Sequence, residues 1–256
     1  MLFDSHAHYH DERYDNDRHE ALMKAYADGV GHILAASTDI ASSRQNVELA
    51  GKYDFVYTAV GIHPHDAAGA DESSMAVLAE MVLQCPKVVA IGEIGLDYFY
   101  DNSPREVQKN WFARQINLAR ELKKPVIVHD RDAHEDTMHI LVSEKAKETG
   151  GVLHCYSGSV EMAKEVLKNN FYISFGGAIT FKNAKRAIEV VRYVPEDRLL
   201  IETDCPYLTP EPYRGKRNES GYVKLVAEKI AQIKNIGLDE VIAKTEENAK
   251  RLFNIQ

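Results

Sequence analysis

Short runs of Val, Ile and Leu alternate along this chain with longer stretches whose apolar residues recur every three or four positions. Gly or Pro marks many of the joins. The short runs are Leu2–Asp4, His32–Ala36, Val56–Val60, Val88–Ile91, Val126–Val128, Gly151–His154, Tyr172–Phe175 and Leu199–Thr203. Their near-continuous apolar character suits strands buried on both faces. The intervening stretches predict helices over Arg18–Asp28, Ser42–Lys52, Ser73–Leu83, Glu106–Leu122, Ala133–Lys147, Val160–Lys168 and Ala184–Val191. Two further helices follow the last strand, Val223–Lys234 and Leu238–Leu252. Eight strands alternating with helices predict an α/β fold, a (β/α)8 TIM barrel with additional C-terminal helices. Nothing between residues 60 and 210 reads as a linker, so residues 1–256 are expected to form a single domain. An open doubly wound sheet is the rival topology. It calls for a glycine-rich phosphate loop after the first strand, where this chain carries His6-Ala7-His8.

Composition narrows the class. The chain has 256 residues, of which 45% are apolar and 27% charged, enough for a sizeable core inside a soluble body. No apolar run is long enough to cross a bilayer, and no basic-then-apolar leader opens the sequence. Only three cysteines are present, Cys85, Cys155 and Cys205, so a cytoplasmic location is expected rather than a disulfide framework. The formal charge of −8 argues against a protein that coats duplex nucleic acid. An enzyme that grips a strand end through bound cations remains compatible with it.

Barrels of this kind place chemistry at the carboxyl ends of their strands. Here those ends carry His6 and His8, then His63 and His65, Glu93 and Asp97, His129, His154, and Glu202 with Asp204. Six of the chain's eleven histidines fall at these places. In an extended segment His6 and His8 share a face. Glu93 to His129 spans 36 residues, His129 to His154 spans 25, and His154 to Asp204 spans 50, each one or two βα units. Imidazoles mixed with carboxylates suit divalent ions such as Mn, Zn, Ni or Fe. Six such groups exceed what one catalytic ion needs and suit a pair sharing a carboxylate.

Three segments resemble the signatures of the TatD-type deoxyribonuclease family: Phe3-Asp4-Ser5-His6-Ala7-His8, Pro125 to Ala133, and Leu200-Ile201-Glu202-Thr203-Asp204-Cys205-Pro206. Gly92 to Tyr98, His154 to Gly158 and Arg214 to Glu219 match as well. The resemblance runs from Leu2 to the last helix. It departs at His10, where the family has Asp or Asn, and at Ser220, where a Pro often follows. The resemblance implies a metal-dependent hydrolase of phosphodiester bonds, a 3′→5′ exodeoxyribonuclease on single-stranded DNA that uses a water activated by two metals. It makes His6, His8, Glu93, His129, His154 and Asp204 the metal ligands. The family is usually magnesium-dependent, whereas four histidine ligands favour Zn, Ni or Mn.

Within that frame His6, His8 and Asp204 would hold one ion, His129 and His154 the other, and Glu93 would bridge. Asp204 and Glu93 would act in catalysis. Asp204 would take the water proton, and His63 would contact the scissile phosphate or protonate the leaving oxygen. Tyr156 is expected to stack on a base and Arg214 to pair with phosphate. The expected partner is a nucleic-acid 3′ end, with no membrane and no obligate protein partner. Taken singly, each group has a plainer reading: hydrogen-bonded histidines under a loop, a buried acid with a basic partner, a loop cap. His65 is expected to face solvent, Glu202 to orient a ligand histidine or form an ion pair, and Cys155 and Cys205 to turn away from the metals. The rival functions are hydrolysis of an ester or amide, such as aminoacyl-tRNA deacylation, and a non-enzymatic scaffold.

Overall fold

Eight parallel strands, each hydrogen-bonded to the next in chain order, form the sheet in a computed structural model that describes residues 1–256. They are β1 (Leu2–Ala7), β2 (Val30–Ala36), β3 (Val56–Val60), β4 (Val88–Asp97), β5 (Val126–Arg131), β6 (Gly151–Leu153), β7 (Phe171–Phe175) and β8 (Leu199–Ile201). Seven helices lie between or after them, α1 (Arg18–Ala27), α2 (Ile40–Lys52), α3 (Glu72–Gln84), α4 (Arg105–Glu121), α5 (His134–Ser143), α6 (Val160–Lys168) and α7 (Lys185–Tyr193), with α8 (Val223–Lys234) and α9 (Leu238–Phe253) at the end. The TIM barrel expected from the alternation is thus the fold. α5 stops short of the expected Lys147 because Lys145 adopts a left-handed conformation, φ 56°, and a separate 3-10 turn follows. No helix is long and apolar enough to cross a membrane.

Two apolar layers hold the barrel. The inner one takes side chains from every strand, among them Phe3, Leu34, Ala59, Val89, Ile127, Val152, Tyr172 and Leu200. Phe253 and Ile255, at and beyond the end of α9, join this inner layer, and Phe253 stacks on Phe3 at 6.2 Å. The end of the chain therefore plugs one end of the barrel. The outer, larger layer packs strands against helices.

The seam between β8 and β1 closes differently from the others. A single backbone bridge joins Ala7 and Cys205. It is flanked by bonds from Asp204 N–H to His6 O, 2.9 Å, and from His8 N–H to Cys205 O, 2.7 Å. Below it, side chains replace the ladder. Asp4 accepts Thr203 N–H at 2.9 Å and the Thr203 hydroxyl at 2.6 Å, while Ser5 Oγ donates to Ile201 O at 2.9 Å. This is why β8 ends at Ile201 and not at the expected Thr203: from there the chain turns onto β1.

β1 and β4 both extend past their apolar runs, and both are irregular. In β1 the register against β2 shifts between Asp4 and Ala7. Phe3 lies in the inner layer and Ala7 in the outer, so strict alternation is broken there and His6 and His8 are aimed into the mouth. β4 runs on to Asp97, with a register shift between Ile91 and Ile94 that brackets Glu93. Its glycines are a packing requirement. A Cβ on Gly92 would lie 2.7 Å from Ile127 Cβ, and one on Gly95, φ 143°, would lie 2.0 Å from His129 O. β4 and β5 approach that closely only because no side chain intervenes.

Asp4 gives a direct test of the seam. Asp4→Ala leaves the Thr203 N–H and hydroxyl buried without a partner, at about 1–3 kcal/mol for each orphaned group. A lower urea midpoint with an unchanged slope is the expected result. Burial pushes the Asp4 carboxyl up to about 7, against the pull of its Ser220 and Thr203 hydrogen bonds. Unfolded, the group loses its proton near 3.8, so ionisation disfavours the folded state progressively as pH rises through that window. The destabilisation by Asp4→Ala should therefore shrink between about pH 4 and pH 7.

Candidate metal centre

The carboxyl ends of β1, β4, β5, β6 and β8 converge on the Glu93 carboxylate, which is 2% exposed. Its two oxygens face different partners. Oε2 lies 3.3 Å from His6 Nε2 and 3.5 Å from His8 Nε2. Oε1 lies 2.8 Å from His129 Nδ1, 2.8 Å from His154 Nε2 and 3.5 Å from His63 Nε2. Asp204 closes the first set, its Oδ1 3.2 Å from His8 Nε2 and 3.8 Å from His6 Nε2. All six residues read from the strand ends are thus brought together, with His63 beside them. The His6 and His154 rings stack at 3.9 Å, which packs the two sets against each other.

Imidazole nitrogens face one another and the two carboxylates across the centre of this cluster. His129 Nε2 lies 3.1 Å from Asp97 Oδ2, placed to donate its N–H there. Its Nδ1 faces the Glu93 oxygen; burial pulls the His129 pKa down, but its bonds to Asp97 and Glu93 outweigh that and raise it. His6 Nε2 and His8 Nε2 face each other at 3.1 Å, and His129 Nδ1 and His154 Nε2 at 3.3 Å. Burial raises the Glu93 carboxyl, but the neighbouring imidazoles, His154 foremost, outweigh it and hold Glu93 well below the usual range. Asp204 is lowered as well, its burial outweighed by His8. Two ionised carboxylates and four converging imidazole nitrogens form a donor set that divalent cations fit.

Carboxylates behind the cluster orient it. Asp97 is fully buried. Its Oδ2 serves both His129 and His65, the latter at 2.9 Å, and its Oδ1 accepts the N–H groups of Phe99 and Tyr100. His65 therefore turns inward to Asp97, contrary to the solvent-facing expectation, because the turn through Pro64, closed by Asp66 N–H to His63 O, brings both His63 and His65 over the mouth. Asp97 received no role from the sequence; its position two residues after Gly95, on an inward-facing repeat of β4, was the available signal. Glu202 lies inside the barrel as expected. Its Oε1 accepts Cys155 N–H and sits 3.7 Å from His154 Nδ1, an electrostatic contact beyond hydrogen-bond reach. Cys155 adopts φ 44°, so strand alternation does not extend to it. Cys205 is buried, 3.9 Å from Ser220 Oγ.

Of the three expected substrate contacts, His63 lies in the cluster, and Tyr156 and Arg214 are not part of it. Tyr156 is 6% exposed and its hydroxyl donates to Ser159 O at 2.8 Å, so its ring is a packing surface at the start of α6 and not an open stacking face. Arg214 lies on the exposed loop after β8 with its guanidinium 4.2 Å over Phe181.

The family model for TatD-related DNases matches residues 3–254. The chain belongs to that family. It is 51% identical to the metal-dependent hydrolase YabD of Bacillus subtilis over the full length of both chains. It is 34% identical to the 3′-5′ ssDNA/RNA exonuclease TatD of Escherichia fergusonii, covering 99% of each. Among solved structures, the TatD homologue YjjV of Escherichia coli superposes with a TM-score of 0.94 at 30% identity, covering 100% of this chain and 98% of that one. The protein is accordingly a metal-dependent hydrolase of the TatD family on a TIM barrel.

The orienting role of Asp97 is separable from the donor set. Asp97→Ala frees the His129 ring, and the metal affinity should fall about 10- to 100-fold, the range seen when such supports are removed. Competition against a chromogenic chelator measures it. An unchanged affinity would show that His129 is held by packing alone.

Proposed function

We infer that this TatD-family hydrolase cleaves phosphodiester bonds in single-stranded DNA, removing nucleotides from the 3′ end. The observation that carries the reading is the division of Glu93, whose two oxygens each face a separate pair of histidines. His6, His8 and Asp204 would hold one divalent ion, His129 and His154 a second, with Glu93 shared between them. Such a pair, when bound, lowers the pKa of a water and stabilises charge on a phosphate ester. The family match, and a relative that bears the name of a 3′-5′ ssDNA/RNA exonuclease, support phosphate over carbonyl chemistry. The metal is a divalent cation among Mg, Mn, Zn and Ni.

The chain's own groups supply the remaining work. The Asp204 side chain keeps 14% exposure at the mouth, so it reaches both the cluster and incoming water. Held ionised, it accepts the proton as the water attacks phosphorus. His63 Nδ1 accepts the backbone N–H of His65 at 3.2 Å, which fixes the tautomer and leaves the proton on Nε2. Nε2 then faces the cluster as a donor and not as a ligand lone pair. Burial pulls the His63 pKa down to about 4, so the ring is neutral at pH 7. Of its two anticipated roles, geometry favours a hydrogen bond to the scissile phosphate over proton delivery to the leaving oxygen. Arg214, free of any carboxylate partner, is proposed to meet phosphate further along the strand.

Metal-loaded protein should shorten a 5′-labelled single strand stepwise from its 3′ end. Glu93→Ala and His129→Ala should abolish this, which also excludes a contaminating nuclease. Uncut DNA together with turnover of an aminoacyl-tRNA would overturn the reading. His63→Ala should lower kcat about 10²- to 10³-fold, the usual cost of a lost donor to a transition-state oxygen, while elemental analysis still finds the full metal complement. Loss of metal in that variant would make His63 a ligand.

A further inference from the structure

Beyond Asp97 the chain crosses the rim of the barrel and exposes two large rings. Phe99 is 56% exposed and Tyr100 54%, although aromatic side chains of this size usually find burial. They pack against each other at 4.9 Å with their planes 89° apart. Neither is loosely placed. Their N–H groups donate to Asp97 Oδ1 at 3.0 and 2.8 Å, and the Tyr100 ring meets His65 edge-on at 5.4 Å. The carboxylate that orients His129 thus also fixes these rings beside the metal centre.

Arg131 completes the patch. It ends β5 two residues after His129, on the same strand face. Its guanidinium lies 4.1 Å over the Phe99 ring and 4.9 Å from that of Tyr100, and it makes no hydrogen bond or ion pair with any residue of the protein. A stacked guanidinium keeps its N–H donors in plane and free at the edge. Tyr207, across the mouth, offers a contrast. It is 45% exposed beneath Arg13, but Asp11 binds both the Arg13 guanidinium and the Tyr207 hydroxyl. An anion arriving there meets Asp11; one arriving at Arg131 meets a guanidinium with no ion-pair partner.

We propose that Phe99, Tyr100 and Arg131 form a subsite for one unpaired nucleotide beside the scissile phosphate, the rings stacking on its base and the guanidinium pairing with its phosphate. The proposal rests on the nucleic-acid reading of the centre. Stacking takes any base with an open face, so recognition is tolerant of sequence. It also excludes a base that is already stacked and paired in a duplex, which supplies a preference for single strands without a broad basic surface. That accords with a net charge of −8.

Fluorescence anisotropy on metal-loaded protein tests it with two phosphorothioate oligothymidylates that resist cleavage, one intact and one with abasic residues at its 3′ end. Wild type should bind the intact strand about 5- to 100-fold more tightly, the range for one or more stacked bases. The Phe99→Ala/Tyr100→Ala double variant should lose that preference. Phe99→Leu and Tyr100→Leu, which keep apolar volume, should weaken it in the same direction should the double variant fold poorly. Arg131→Gln should reduce the slope of log affinity against log salt by about 0.7, one phosphate's share on a single strand, and Arg131→Lys should retain it. Equal binding of the two strands by wild type, or a preference that survives loss of both rings, would overturn the subsite. Cleavage is read separately on an unmodified strand. Base-dependent binding without cutting would sustain the subsite and refute the nuclease reading alone.

Discussion

A single buried carboxylate organises this molecule. Glu93 sits at the centre of the barrel mouth with an imidazole pair against each oxygen. An ionised carboxylate in such a place is costly unless matched by positive charge. The surrounding histidines supply part of that match, and their nitrogens face one another across the centre. Divalent cations fit both features at once. The chemistry of the centre and the stability of its charge arrangement are one problem in this fold.

The barrel is built to deliver that geometry. Glu93 reaches the centre because β4 is irregular where Gly92 and Gly95 let it press against β5. His6 and His8 point inward because β1 slips register beyond Asp4. Asp204 is brought beside them by the seam, where Asp4 and Thr203 bond through side chains in place of a ladder. At the opposite end Phe253 and Ile255 pack into the inner layer of the barrel. Bulges and an irregular seam cost regular hydrogen bonding, and they lie where the functional side chains are aimed.

Much of this was legible in the chain. The βα rhythm encodes the barrel because parallel strands buried on both faces must be apolar throughout, so each run stands out against amphipathic helices. The six strand-end groups were legible because the fold dictates where chemistry lies and whole-unit spacing kept them in phase. What escaped depended on contacts distant in sequence. The length of β4 was hidden because its second half is Gly, Glu and Asp rather than an apolar run. Asp97 and the inward turn of His65 emerge only when β3, β4 and β5 are side by side. Tyr156 reads as an exposed aromatic beside a ligand, yet a hydrogen bond to Ser159 folds it into the core. Conversely Phe99 and Tyr100 carried no signal in the chain, and only their anchoring to Asp97 and the unpaired Arg131 above them sets them apart.

Anomalous diffraction from crystals of the metal-loaded protein is the most direct measurement of the shared role of Glu93. Two peaks roughly 3.5–4 Å apart are expected, one beside His6, His8 and Asp204 and the other beside His129 and His154, with one Glu93 oxygen on each. A single peak at full occupancy, or two peaks with Glu93 turned away from both, would contradict it.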